Sequence, residues 1–190
     1  MFDIEDIEQK FRDTVASPEW SEFQEKFNNC DDIYVLGHGG NLAIVDHTAV
    51  DITRLSNGLK NAISPGSGVV ATSFINDTNF DQWMVSWLSY RTAVRTQSEK
   101  KKSLVYGISS SGKSTDVIKA LQWASDNEMQ TVLITGQPMN VKVPGLTVVQ
   151  LNTEYYHTCE VLTLLLQYQL THGSGRECPP IGKNTPQELE

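Results

Sequence analysis

The chain has 190 residues, 39% of them hydrophobic and 20% charged, with a formal net charge of −8. This describes one globular domain that can bury a core without disulfide or metal staples, and it excludes a disordered chain, a collagen and a disulfide scaffold. No apolar run approaches the ~20 residues of a membrane span, the acidic start is unlike a secretory leader, and three scattered cysteines (Cys30, Cys159, Cys178) point to a reducing, cytoplasmic setting.

The opening reads as helix, because Ile4, Ile7, Phe11 and Val15 recur at spacings of three and four. Ser17 suits an N-cap and Pro18 the first position of a second helix, whose apolar stripe is Trp20, Phe23 and Phe27. The period then changes. Short β-branched runs predict strands at residues 33–36, 69–72, 104–106, 131–134 and 146–149, each apolar on both faces as in a buried parallel sheet. Helical spacing predicts helices at residues 42–56, ended by Asn57-Gly58, and at 80–94, 114–127 and 154–171. The last is apolar nearly all round, which suits burial between layers or subunits. The result is an α/β fold: an open parallel five-stranded sheet, helices on both faces, and two leading N-terminal helices. Residues 1–172 form the single domain, with 1–31 as its helical pair. Residues 173–190 form an extended tail.

Charge is uneven along the chain. Residues 1–32 hold ten acids against three bases, so the remainder is close to neutral and can host an anionic small molecule. The overall sign argues against nucleic-acid and anionic-membrane partners. The one basic cluster, Lys100-Lys101-Lys102, reads as a solvated loop.

Ligands of such sheets sit at the carboxyl ends of the strands. Three predicted strand ends stand out. Gly37-His38-Gly39-Gly40-Asn41 opens a helix, where glycines admit a close ligand and the helix terminus favours an anion; a simple tight turn is the plainer reading. Gly107-Ile108-Ser109-Ser110-Ser111-Gly112-Lys113-Ser114 brings hydroxyls, amides and a helix terminus together, which suits phosphate; N-capping alone explains one serine, not four. The same stretch satisfies the Walker pattern, so a P-loop phosphotransferase is a rival, although residues 131–134 end in Thr135-Gly136 rather than a magnesium-holding acid. Asn76-Asp77-Thr78-Asn79-Phe80 offers Asp77 to sugar hydroxyls or, equally, a helix cap. Finally, His47 and Asp51 lie one helical turn apart and can act as an acid–base pair, share a metal, or form a surface ion pair.

Together these residues resemble the sugar isomerase (SIS) domain, and within it the phosphoheptose isomerases. Those enzymes carry G-N-G-G-S, a histidine and glutamate on the next helix, N-D-x-G-F, and the phosphate loop G-I-S-T-S-G-N-S. The resemblance covers roughly residues 1–170, and Lys113 stands where the family has asparagine, which explains the Walker look-alike. It implies a flavodoxin-like three-layer sandwich, a homo-oligomer (dimer or tetramer), a phosphorylated sugar as substrate, and aldose–ketose isomerisation, often beside zinc. By the match, Ser109, Ser110, Ser111 and Ser114 hold phosphate, Gly39, Gly40, Asn41 and Asp77 hold the sugar, Asp51 and His47 move protons, and His47, Asp51, Cys159 and Gln167 are the positions available to a zinc ion. The catalytic half departs from the family. Asp51 replaces glutamate, Asn41 replaces serine, and Gln167 stands where the last helix has its histidine, with His157 nearby but off that position. Two outcomes follow from the resemblance: an isomerase of the phosphoheptose type, or a sugar-phosphate binder without turnover.

Overall fold

The computed structural model describes residues 3–66, 68–175 and 177–181. Helix α1 (Ile4–Val15) starts where the Asp3 carboxylate accepts the Glu5 and Asp6 amides, and α2 (Pro18–Asn29) starts where Ser17 Oγ accepts the Trp20 amide. Lys60 Nζ donates to the carbonyls of Phe27, Asn28 and Cys30 and so satisfies the end of α2. The chain continues through β1 (Asp32–Leu36), α3 (Gly40–Leu55), β2 (Asn61–Ile63), α4 (Gly68–Asp77), α5 (Trp83–Arg91) and α6 (Gln97–Lys101). It ends with β3 (Ser103–Ile108), α7 (Thr115–Asp126), β4 (Gln130–Thr135), β5 (Leu146–Gln150) and α8 (Tyr156–Gly173).

The five strands form one all-parallel sheet in the order β2-β1-β3-β4-β5. Alternate strand residues feed two cores. Ile33, Val35, Leu104, Tyr106, Val132 and Ile134 pack with α1, α2, α3 and α8. Tyr34, Leu36, Val105 and Leu133 pack with α5 and α7. Chain direction across the sheet reverses between β1 and β3. The step from β1 to β2 crosses on the α3 face and the steps onward to β3 and β4 cross on the other, as right-handed crossovers require. The crevice at the carboxyl ends of β1 and β3 is therefore the topological switch point, where ligands of such sheets bind.

Three expectations are corrected. Residues 69–72 are helix, not strand: Val70, Ala71, Phe74 and Ile75 pack at helical spacing against the α5 side, and the strand position is taken by Asn61-Ala62-Ile63. That strand is short, half-exposed and at the sheet edge, so its residues carry no apolar run that sequence could show. In consequence Asn76 and Asp77 end a helix and do not lie at a strand's carboxyl end. Lys100 and Lys101 belong to α6, started by a capping box between Thr96 and Glu99, rather than to a loop. The last helix runs on to Gly173, residues 177–181 carry no helix or strand, and the remainder of the expected tail, 182–190, lies outside the described residues.

Candidate phosphate-binding site

Two loops meet at the switch point. The serine loop leaves β3 and is held from both sides. Ser109 N–H donates to the Ile134 carbonyl, and Gly136 N–H donates to the Ser110 carbonyl. Gly112 has φ +65°, and a side chain there would meet Thr135 Oγ1 and the carbonyl oxygens of Gln137 and Pro138 at 3.0–3.4 Å, so this corner admits glycine and little else.

The serine hydroxyls accept bonds from internal donors. Ser110 Oγ accepts from Asn41 Nδ2 at 3.0 Å, and Ser111 Oγ accepts the Lys113 amide at 3.2 Å. Ser109 Oγ accepts the Ser114 amide at 3.3 Å and lies 2.8 Å from Ser114 Oγ. Whichever way that last bond runs, one proton of the Ser109–Ser114 pair remains unspent. The Ser111 proton and one from the Ser109–Ser114 pair are thus available to an acceptor at the start of α7, whose dipole favours an anion, while the Ser110 hydroxyl also reaches the Cys159 thiol. Ser114 is the N-cap residue of α7 but makes no side-chain cap bond, so the first-turn amides are not taken by it.

The glycine turn supplies the second wall. Gly39, φ 55°, is the N-cap of α3 without a side chain to close the first-turn amides. Gly40 is where Glu160 of α8 lies down: a side chain at residue 40 would collide with that carboxylate. Asn41 is buried, braces the two loops through Ser110, and keeps its Oδ1 without a partner among the described residues. A buried amide oxygen left open at a crevice is a ready acceptor for a ligand hydroxyl. A cleft of about 110 Å³ beside the loop is lined by Ser110, Ser111, Gln137, Thr153, Tyr156 and Cys159. A larger cavity of about 540 Å³ lies elsewhere, between α1 and the β5 edge, rimmed by Asp6, Asp13 and Glu19, whose charges disfavour an anion there.

Against this wall stands His38, a residue that motif reading passed over. Its ring stacks on Phe80, with centroids 5.5 Å apart, and its Nε2 lies 2.6 Å from Oδ2 of Asp116. Asp116 is fully buried in the first turn of α7, where Oδ2 also accepts from Trp83 Nε1 at 2.8 Å and Oδ1 accepts the Val117 amide at 3.0 Å. His38 sits inside the glycine turn and was visible there. Asp116 carries no sequence signal beyond its place two residues after the serine loop.

The other half of the expected site is elsewhere. His47 Nε2 and Asp51 Oδ2 are 3.0 Å apart on the outer side of α3, and Tyr168 Oη is 3.4 Å from the same imidazole nitrogen. Asp51 is eleven residues beyond Gly40, so it lies about 16 Å down the helix, level with the opposite end of the strands. Gln167 faces inward: its Oε1 accepts from the buried Tyr106 hydroxyl at 2.8 Å, and its Nε2 has no partner among the described residues. Cys159 is buried beside Gly136 and Ser110, and burial pushes its thiol above the usual range. Asp77 is exposed at the end of α4 with only Asn76 on its carboxylate.

A zinc ion does not fit these residues within one chain. His47 and Asp51 supply two donors, Gln167 is engaged in the core, and burial holds the Cys159 thiol above its usual range beside the Ser110 hydroxyl. Among the described residues no group of three or more His, Cys, Asp or Glu side chains is placed to hold a metal. Nor is any helix long and apolar enough to cross a membrane.

No protein-family model matches the chain. The phosphoheptose isomerase of Helicobacter pylori is 30% identical over 117 residues, 60% of this chain and 57% of that protein, so the match spans little more than half of the relative's length. Among solved structures, phosphoheptose isomerase from Neisseria gonorrhoeae superposes with a TM-score of 0.74 at 20% identity, over 89% of this chain and 91% of that one. The Vibrio vulnificus NanR protein, solved in complex with ManNAc-6P, gives 0.59 at 18% identity over 90% of this chain and 59% of that one. The chain has the sugar isomerase (SIS) fold, with two N-terminal helices ahead of the parallel sheet.

Proposed function

We propose that this protein binds the phosphate end of an open-chain phosphorylated sugar at the β1/β3 crevice and, as an assembly of two or more copies, interconverts the aldose and the ketose. The observation that carries the reading is the serine loop. Its internal bonds spend hydroxyl lone pairs and leave hydroxyl protons, which is the arrangement an anion needs and a neutral or cationic ligand does not. The phosphate sits on Ser110, Ser111, Ser114 and the first amides of α7, and Asn41 Oδ1 takes a sugar hydroxyl. Isomerases and sugar-phosphate complexes of the same fold support the assignment.

Isomerisation needs a base beside the carbon next to the carbonyl, and geometry puts Asp51 too far down α3 to serve the loop of its own chain. The His47–Asp51 pair stands on the outer face of α3 and α8, among exposed Val50, Leu165 and Tyr168. An apolar face around a polar pair is a surface for another copy of the chain. In this reading one copy supplies phosphate binding, and the His47–Asp51 pair of another removes and returns the proton.

A second reading, binding without turnover, is favoured by one observation: Gln167, at the position of the last-helix histidine, is locked onto Tyr106, and an amide cannot serve as acid or base near neutral pH. Mixing two inactive variants separates the readings. Asp51→Asn and Ser111→Ala/Ser114→Ala, each inactive alone, regain partial activity in mixed assemblies if the site is shared between copies. A monomer in light scattering removes the shared site. Full assemblies that bind sedoheptulose 7-phosphate but never isomerise it establish the second reading. Stabilisation by MgATP instead of a sugar phosphate assigns the loop to phosphotransfer.

A further inference from the structure

In a parallel sheet, successive residues turn their backbone N–H and C=O alternately toward one neighbouring strand and the other. Strand β5 has a neighbour on one side only. Leu151 N–H donates to the Thr135 carbonyl of β4, so Thr147, Val149 and Leu151 face β4, while Leu146, Val148 and Gln150 face outward. The amino end of this edge is occupied. Leu146 N–H donates back to the Val143 carbonyl, and Lys26 Nζ covers the end of the β4–β5 pair through the Thr131 and Gly145 carbonyls and the Thr147 hydroxyl. The carboxyl end is open: the outward N–H and C=O groups of Val148 and Gln150 have no hydrogen-bond partner among the described residues. Edge strands are usually blunted by a charge, a proline or a bulge. Strand β5 reads Leu-Thr-Val-Val-Gln in unbroken register with β4 and has none of these.

The open half of the edge is one wall of the cavity of about 540 Å³. Val148, Gln150 and Asn152 line it on one side, and Asp6, Asp13 and Glu19 of the helical pair line it on the other. Val148 to Asn152 spans about 13 Å, room for an extended segment of about four residues. Charge selects what that segment can be. Each base of the helical pair is already tied to an acid of its own helix, Lys10 to Asp6, Arg12 to Glu8 and Lys26 to Glu22. Asp13 is left with the Gln9 amide as its side-chain partner, and Glu19 has no cation partner among the described residues. The groove therefore offers unpaired backbone groups on one wall and unneutralised carboxylates on the other.

We propose that the open edge of β5 binds a basic extended peptide of another protein, which adds a further strand beside Val148 and Gln150 and sets Lys or Arg side chains at alternate positions against Asp13 and Glu19. Backbone bonds to the edge supply affinity and register, and the acids reject acidic segments. The groove lies two strands away from the β1/β3 crevice, so its occupation does not depend on the phosphate reading of the serine loop.

The probe is a capped, fluorescently labelled hexapeptide of alternating lysine and valine. In anisotropy titrations at low salt it binds the full chain with a Kd tighter than about 1 mM, and a glutamate–valine counterpart does not bind. Hydrogen exchange of the Val148 and Gln150 amides, fast in the free protein, slows when the peptide is bound. N-methylation of one alternate set of peptide amides abolishes binding and N-methylation of the other set leaves it, because an extended segment turns one edge to β5. Val148→Pro removes an outward N–H that the β4–β5 ladder does not use and lowers the affinity about tenfold. Asp13→Asn/Glu19→Gln lowers it about three- to tenfold. Absence of binding by the lysine peptide, equal binding by the glutamate peptide, or tolerance of both methylated sets overturns the proposal, as does wild-type affinity in Val148→Pro. Should that variant not fold, the methylated peptides decide. Unmoved affinity in Asp13→Asn/Glu19→Gln overturns the basic character of the partner. Val148 and Gln150 amides already protected in the protein alone, increasingly so as its concentration rises, assign the edge to a second copy of this chain and overturn the foreign peptide.

Discussion

Helix α3 carries two polar sites of opposite character. At its start, Gly40 lies against Glu160 of α8, and the buried Asn41 is tied to Ser110 of the serine loop. Three turns on, His47 and Asp51 pair on the surface with one tyrosine hydroxyl for company. Groups at the first site are partly buried and cross-braced, so their geometry holds without a ligand and each unspent hydrogen bond is worth ~1–3 kcal/mol where it is desolvated. An exposed i,i+4 pair contributes about 0.3–0.5 kcal/mol and fluctuates. On the proposed function, binding would be complete within one chain, whereas proton transfer would need whatever covers the outer face of α3.

The largest test of that contrast is Asp51→Asn. If the pair is the proton-moving half, turnover in a coupled isomerase assay falls about 10²–10⁴-fold while sugar-phosphate affinity is unchanged within error. Loss of affinity in that variant would merge the two sites and break the comparison. Next comes Ser111→Ala/Ser114→Ala, which should weaken sedoheptulose 7-phosphate binding by about 1–3 kcal/mol for each bond removed, with the melting temperature nearly unchanged because the loop's backbone bonds remain. Unchanged affinity in calorimetry would sink the assignment of the loop.

The inner side of α8 gives a third test, on stability alone. Tyr106→Phe strands the Gln167 amide in the core and should destabilise by about 1–3 kcal/mol in denaturant melts. Tyr106→Phe/Gln167→Leu should recover most of that loss, since both polar groups leave together. An additive double variant would mean that Gln167 serves something other than Tyr106. The smallest effect lies far from both sites. The Thr147 hydroxyl and then Lys26 hold the Glu22 carboxyl below its usual range. A depressed folded-state value stabilises fully above the ordinary carboxylate range and is lost as pH falls through it. Glu22→Gln should flatten the acid limb of the stability curve by less than ~1 kcal/mol, the ordinary worth of an exposed pair. A steeper limb would reverse the sign.

Much of this was legible before any coordinates. Ser17-Pro18, Asn57-Gly58 and the four β-branched runs at β1, β3, β4 and β5 carry local signals that the fold obeys, because buried parallel strands have no solvated face on which to place polar residues. The serine loop was legible for the same reason: a strand, a glycine corner and a helix start constrain neighbouring residues. Strand β2 and helix α4 were not. Val69-Val70-Ala71 has the composition of a strand, yet packing at i and i+4 against the α5 side decides for helix, while Asn61-Ala62-Ile63 pairs with β1 only because the sheet offers an edge there.

The sequence by itself determined the class of fold, the serine loop between strand and helix, and the i,i+4 spacing of His47 and Asp51, since each depends on residues within one or two turns of each other. Only the tertiary structure decided what lies across the crevice: that Asn41 reaches Ser110, that His38 faces Asp116 seventy-eight residues on, that Gln167 turns to Tyr106, and that His47 and Asp51 stand away from the loop. Those are choices of packing between elements distant in the chain. Which face of a helix is buried, and against what, is set by the whole sheet and not by the residues on either side.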